Sequence, residues 1–319
     1  MSPALPFKFA LPTALLVLVV TLTNALPQPA GTWTKAAPAP TPRTEVAVAG
    51  LDGKIYVVGG FRRIGNTTRV EVYDPVTDRW SEAAPLPEAR HHAGIGAVNG
   101  RLYVIGGFAG NVSWSPKNSV YEYDPKVDRW KEREPMPTAR GGLAVGLSQG
   151  KLFAVGGYGD GNNTDANEAY DPAANLWKKL APLPTPRDHL AVSVVEDTLY
   201  AIGGRIKSSY SNNLNTHEAY DILNNRWVLK APLPTARSGI ASAVLEGRIF
   251  VFGGESPDGT FNQNEAYDPK TDSWAAMTSM PTARHGLGAD AIGDKIHVLS
   301  GGTSPGGSFS DAHEVFGLR

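Results

Sequence analysis

Four-residue blocks, all apolar except for His297 in the last, recur along the chain, each leading to glycine. They are Ile55–Val58 before Gly59/Gly60, Leu102–Ile105 before Gly106/Gly107, Leu152–Val155 before Gly156/Gly157, Leu199–Ile202 before Gly203/Gly204, Ile249–Phe252 before Gly253/Gly254, and Ile296–Leu299 ahead of Gly301/Gly302. None alternates polar and apolar positions, so each predicts a short strand covered on both faces. After each of the first five blocks come a more polar segment ending in Tyr-Asp, then a Trp, then Pro-x-x-Arg, and the blocks recur at a period of about 47 to 50 residues. A repeat of that length made of short β-runs is one blade of a propeller.

The second repeat shows the elements. His92 to Val98 is a strand of small and apolar residues, and Asn99-Gly100 is a two-residue hairpin turn. Arg101 to Ile105 is the next strand, followed by a loop to about Asn118 and a third strand, Ser119 to Tyr123. Asp124 to Asp128 is a turn in which Pro125 fixes φ and carboxylates cap backbone N–H groups. Arg129 to Glu132, with Trp130, is the fourth strand, and Met136 to Arg140 crosses to the next blade. Glycines at the strand ends leave room for a neighbouring blade's backbone or for a bulky ring. The periodic Trp33, Trp80, Trp130, Trp177, Trp227 and Trp274 are the expected fillers.

The chain ends define the architecture. Trp33 precedes any complete repeat, and the last repeat stops at Glu314-Val315-Phe316-Gly317 without a Trp strand. The N-terminal segment therefore supplies the fourth strand of the C-terminal blade, closing an all-β ring of six four-stranded blades and hiding a raw edge. Over residues 30 to 319 these motifs resemble the kelch-repeat β-propellers. That resemblance implies the fold and leaves the activity open, because the family includes actin binders, ubiquitin-ligase adaptors, sialic-acid mutarotases and copper oxidases.

Composition narrows the setting. With a formal net charge of -1, nothing suggests a nucleic-acid binder, which would normally show a strongly basic face. Residues 1–25 read as a signal peptide, with Lys8 ahead of an apolar run from Leu11 to Leu22 and a cleavage site after Ala25. An uncleaved N-terminal anchor is the alternative, although Pro12 and the short run argue against a stable span. Residues 26–32 are then a short leader and 33–319 the propeller, so the expected product is a secreted or periplasmic monomer with no membrane span in its mature part. There is no Cys, which closes the crosslinked-copper route that the resemblance would otherwise allow, and no cofactor is expected. Asn66, Asn111 and Asn162 begin glycosylation-acceptor triplets.

In an antiparallel four-stranded blade the loop after the second strand and the crossover after the fourth emerge on one face. Sequence variety concentrates there, so a binding site belongs there. Arg43, Arg90, Arg140, Arg187, Arg237 and Arg284 stand at the starts of the innermost strands and form a ring. One reading is a positive mouth for an anion, and the resemblance adds that Arg at this position in kelch adaptors contacts acidic peptides. The other is pairing with Glu71, Glu168, Glu218, Glu265 and Glu314 of the third strands. Blade two has Tyr121 at that position, which makes Arg90 the expected free arginine. Trp114 lies off the period in a long face loop, and Tyr210, Phe261 and Phe309 share a loop offset. Such aromatics can stack on sugars or apolar side chains.

His91, His92, His189 and His285 follow the Arg positions at the rim. They come from three of six blades, so no metal site is expected. With no catalytic constellation visible, the leading expectation is a binding module for a glycan or an acidic peptide or protein, more plausibly not an enzyme. The alternative is a sugar mutarotase or epimerase like the exported kelch mutarotases, with Glu255 and His285 or His189 as acid and base.

Overall fold

The computed structural model describes residues 1–3, 31–111 and 114–319. The signal-peptide reading falls on residues outside that set. Among the described residues there is no helix, hence none long and apolar enough to cross a membrane. The strands form six four-stranded antiparallel sheets plus three two-stranded hairpins in the face loops. In the second blade the strands are Gly94–Val98, Arg101–Ile105, Val120–Asp124 and Arg129–Arg133. The first starts two residues later than the sequence suggested, because His92 takes a positive φ of 53° that no strand tolerates.

The innermost strands close a ring: Ala47–Leu51 touches both Gly94–Val98 and Gly288–Ile292, and the remaining innermost strands follow in chain order between those two. In the last sheet Thr32–Lys35 pairs with His313–Gly317, with Trp33 opposite Phe316. The second strand of each blade is the buried one, as in Ile249–Phe252, where all four residues are fully buried.

Blades are joined by repeated polar contacts. The N–H of the second glycine in each pair donates to the carbonyl of the next crossover arginine, as Gly60 does to Arg90 at 2.8 Å and Gly204 to Arg237 at 3.0 Å. The first glycine, for example Gly59 at φ 63°, lies where a Cβ would meet that carbonyl oxygen at 2.5 Å. The gap beside the glycines is therefore filled by backbone, not by the periodic Trp. In the last blade the register moves by one: Gly301 N–H bonds Arg43 O, and Ser300 takes the left-handed conformation at φ 57°. The structural pair is thus Ser300/Gly301, not Gly301/Gly302.

The Trp rings are half-buried and act as bridges. Trp130 Nε1 donates to Ala84 O of the preceding blade at 2.7 Å, and Trp227 Nε1 to Ala181 O at 3.0 Å. Asp128 Oδ1 accepts both the Tyr123 hydroxyl at 2.6 Å and the N–H of Ala84 at 2.7 Å. Asp78, Asn175, Asn225 and Asp272 do the same in other blades. Asp128→Ala removes both bonds and leaves a tyrosine hydroxyl and an amide to find new partners. A loss of about 1–3 kcal/mol is expected in urea denaturation; an unchanged midpoint would show that the latch carries no weight.

Candidate functional site

The site grows from the six crossovers. Each delivers an arginine followed by two residues to the mouth of the central channel. The second of those two is Glu45, His92, Gly142, His189, Gly239 or Gly286, and these six form a closed ring of backbone hydrogen bonds. Glu45 N–H donates to Gly286 O, Gly286 to Gly239, Gly239 to His189, His189 to Gly142, Gly142 to His92, and His92 to Glu45, at 2.7 to 3.2 Å. All six have positive φ, between 53° and 66°. Glycine takes that conformation freely, whereas each L side chain there costs about 1–2 kcal/mol. Glu45, His92 and His189 are therefore held in strained positions at the lip of the channel, and such strain clusters at functional sites. The glycines make space for them: a Cβ at Gly286 would lie 2.5 Å from Glu45 Oε1.

Behind this ring sits the arginine layer, which corrects the reading of an anion-binding mouth. Arg43, Arg140, Arg187, Arg237 and Arg284 are fully buried and ion-paired to Glu71, Glu168, Glu218, Glu265 and Glu314. Arg187 also donates to three carbonyls, Gly203 O, Thr185 O and Ala201 O, at 2.7 to 2.9 Å. None is open to a ligand, because burying a guanidinium demands a paired carboxylate. Arg90 is not free either. Blade two moves the carboxylate to the crossover, where Glu88 replaces the usual Thr, and Arg90 bonds Glu88 at 2.7 Å and Ser119 at 2.8 Å beside the Tyr121 ring.

Outward of the lip, the residue after each glycine pair bridges the crossover of its own blade. These residues are Phe61, Phe108, Tyr158, Arg205, Glu255 and Gly302. Blades one to three thus present aromatic rings, and blades four and five present charges. On the aromatic side His91 stacks on Phe61 at 4.0 Å between centroids, and Trp114 lies 4.8 Å from His92 and 5.3 Å from Phe108. Trp114 keeps 41% of its surface exposed, an open indole face above a packed cluster. On the charged side Arg205 bonds Glu255 at 2.7 Å and Asp188 at 3.2 Å, and its guanidinium lies 5.9 Å from the Tyr210 ring centre.

Between the two sides is a cavity of about 460 Å³, with Phe61, Trp114, Tyr210 and Phe309 as walls and Glu45, His92, Arg205, Glu255 and His285 as floor. Its rim carries Arg62 and Arg63. The floor is electrostatically uneven. Burial, reinforced by Glu255, pushes the Glu45 carboxyl up to about 8. Burial also acts on Glu255, but His285, the Gly306 N–H and Arg205 outweigh it and hold that carboxyl below its ordinary value. Burial lowers His285, His189 and His92 from the ordinary histidine value. Two trios have ligand atoms within 4.8 Å of one another, Glu45/His92/His189 and Glu45/Glu255/His285.

The structure brings Trp114, Tyr210, Phe309, Glu255 and His285 into one cavity. Phe261 does not line it; its backbone is tied to Gly254 and Arg284, and its ring is half-buried. His189 is no free base: its Nδ1 faces Asp188 and its Nε2 accepts from Arg205 at 2.8 Å. Counting histidines by blade left out the carboxylates that come from two further blades, Glu45 and Glu255. Glu45, Asp188 and Arg205 were missed as site residues. Their signal is the Gly-or-not alternation at one crossover position, together with charges where other repeats carry rings.

Comparison with known proteins agrees with this fold. The family model of the KLHDC2/KLHL20/DRC7 Kelch-repeats domain matches residues 19–157 and 142–316. Kelch-like protein terF of Aspergillus terreus (strain NIH 2624 / FGSC A1156) is 43% identical over 53 residues, 15% of this chain. The matched segment spans 12% of that protein's length. The solved structure titled "Structure of YjhT" superposes with a TM-score of 0.74 at 17% identity, covering 87% of this chain and 96% of the other. At that identity the likeness concerns the fold.

Proposed function

The chain belongs to the kelch-repeat propeller family, and on that footing we propose that it is a binding module whose face cavity takes a saccharide unit. One observation carries the reading. A concave site of about 460 Å³ sets the open faces of Trp114, Tyr210 and Phe309 across from a hydrogen-bonding floor. Ligand sites combine apolar walls with a few placed polar groups in this way, and a sugar ring offers an apolar C–H face and a rim of hydroxyls to match. The acidic-peptide reading loses its basis, since it rested on arginines that are buried in ion pairs.

The test is a glycan array followed by calorimetry on the strongest hit. Trp114→Ala is expected to weaken binding about 10–30-fold, the cost of a truncated aromatic anchor, with an unchanged melting temperature. Equal affinity in the variant would remove this cavity from the account.

A second reading, exchange of sugar anomers, draws support from the convergence of Glu255 and His285 beneath the cavity, 3.5 Å apart. Exchange spectroscopy by NMR should then show interconversion faster than in buffer with the wild type and at the buffer rate with Glu255→Gln. Rates equal to buffer would exclude it.

A further inference from the structure

The floor of the cavity has the makings of a metal site that does not depend on which molecule fills the space above it. We propose that Glu45, Glu255 and His285 bind one divalent transition-metal ion at the mouth of the channel, with an open coordination position facing the cavity.

The tautomers point this way. His285 Nδ1 lies 3.2 Å from Gly302 O and donates to it, which leaves Nε2 as a lone pair. That Nε2 belongs to a side chain only 1% exposed. It faces Glu45 Oε1 at 3.7 Å and Glu255 Oε2 at 3.5 Å. The three ligand atoms converge on one point, where a single cation would touch all of them. Tetrahedral coordination with bonds of about 2.0–2.1 Å places neighbouring ligand atoms about 3.3–3.4 Å apart. The observed spacings are close to that.

The surroundings repeat the logic of a supported site. A ligating histidine commonly donates its other N–H to a carbonyl or carboxylate, and ligating carboxylates are themselves held. His285 has Gly302 O, and Glu255 is fixed by Arg205 at 2.7 Å and by the Gly306 N–H at 2.9 Å. His92 adds a flank. His91 Nε2 donates to Gly110 O, so His91 Nδ1 accepts from His92 Nδ1, and His92 Nε2 is left as a lone pair 3.2 Å from Glu45 Oε2. Three blades, one, five and six, thus converge on the site, and the glycine at 286 keeps the Glu45 carboxylate's place open. The other trio is weaker because His189 Nε2 is already taken by Arg205. Charge also fits: two carboxylates answer a divalent ion, while Arg205 is balanced by Asp188. One imidazole and two carboxylates suit Zn²⁺ or Mn²⁺.

The experiment uses the whole protein, stripped with EDTA and titrated with Zn²⁺ and, separately, Mn²⁺ by calorimetry. One ion per chain is expected, with a rise in melting temperature on loading. Glu45→Gln, which keeps the shape of the side chain, and His285→Gln should each weaken binding by more than the roughly 10–100-fold typical of outer-shell changes. Should either variant fold poorly, anomalous diffraction at the zinc edge from wild-type crystals decides, with a peak expected between Glu45, Glu255 and His285. Substoichiometric binding, affinity unchanged in folded Glu45→Gln, or a peak elsewhere would overturn the proposal. Saccharide binding is measured on the EDTA-treated protein, so failure of either claim leaves the other to stand on its own result.

Discussion

Arg187→Met is expected to cost about 3–5 kcal/mol of folding free energy, because it strands the Glu218 carboxylate in the interior. Arg187 and Glu218 are 2.5 Å apart, with side-chain exposures of 0% and 5%, so little water can replace the lost partner. The guanidinium also ends three carbonyls of its own blade, which then lose their donors. Removing Glu218 as well, in Arg187→Met/Glu218→Leu, should recover much of the loss, as buried pairs replaced by apolar residues often do. Arg90→Met should cost less, since its partner Glu88 is 44% exposed and can be rehydrated. Urea denaturation of the four proteins checks this. Equal losses for Arg90 and Arg187 would mean that burial of the pair is not what sets its energy.

Acid should open the protein at the seam between its last and first blades. His313 Nδ1 donates to Ala37 O at 3.1 Å, and His297 Nδ1 donates to His313 Nε2 at 2.9 Å. Ala37 also receives the Trp80 indole N–H and donates its own N–H to Asp78, so it is the joint between these blades. A proton on His313 Nε2 would face the His297 donor and break the chain of bonds. Burial lowers both rings from the ordinary 6.5 to about 4. The unfolded chain therefore takes up protons first, and stability is full above pH 6.5 and declines as pH falls toward 4. Linkage puts the loss at no more than about 3 kcal/mol per histidine. Melting temperature against pH should fall over that window, and His297→Gln/His313→Gln should make the fall shallower, the other buried histidines keeping their share. A wild-type curve level from pH 7 to pH 4.5 would contradict the seam as described.

The fold was legible because each blade repeats the residues that build it. Apolar runs buried on both faces, glycines where a neighbour's carbonyl approaches, and the Tyr-Asp and Trp positions all recur, and a periodic signal averages out local ambiguity. The pairing of the arginines was legible for the same reason, through the matching glutamates. Arg90 shows the limit. Its partner moved from the third strand to Glu88 in the crossover, a swap visible in the sequence only once the two positions are known to touch. The site was less legible because it lies where the repeats disagree. Trp114 and Glu255 stood out as breaks in the period, but Glu45 resembled an ordinary surface residue until its φ of 53° and its place in the ring gave it meaning. Phe261 shares a loop offset with Tyr210 and Phe309 yet does not line the cavity, since offset along a loop does not fix which site a ring joins.

The account rests on the cavity above the channel, in place of the buried arginines, as the surface that meets a ligand. A crystal structure with a saccharide hit from the array tests this most directly. Density stacked on Trp114 and reaching the floor at Arg205 and Glu255 is the predicted result. Density elsewhere, for instance in the groove lined by Phe153, Trp177 and Tyr220 between blades three and four, would contradict it.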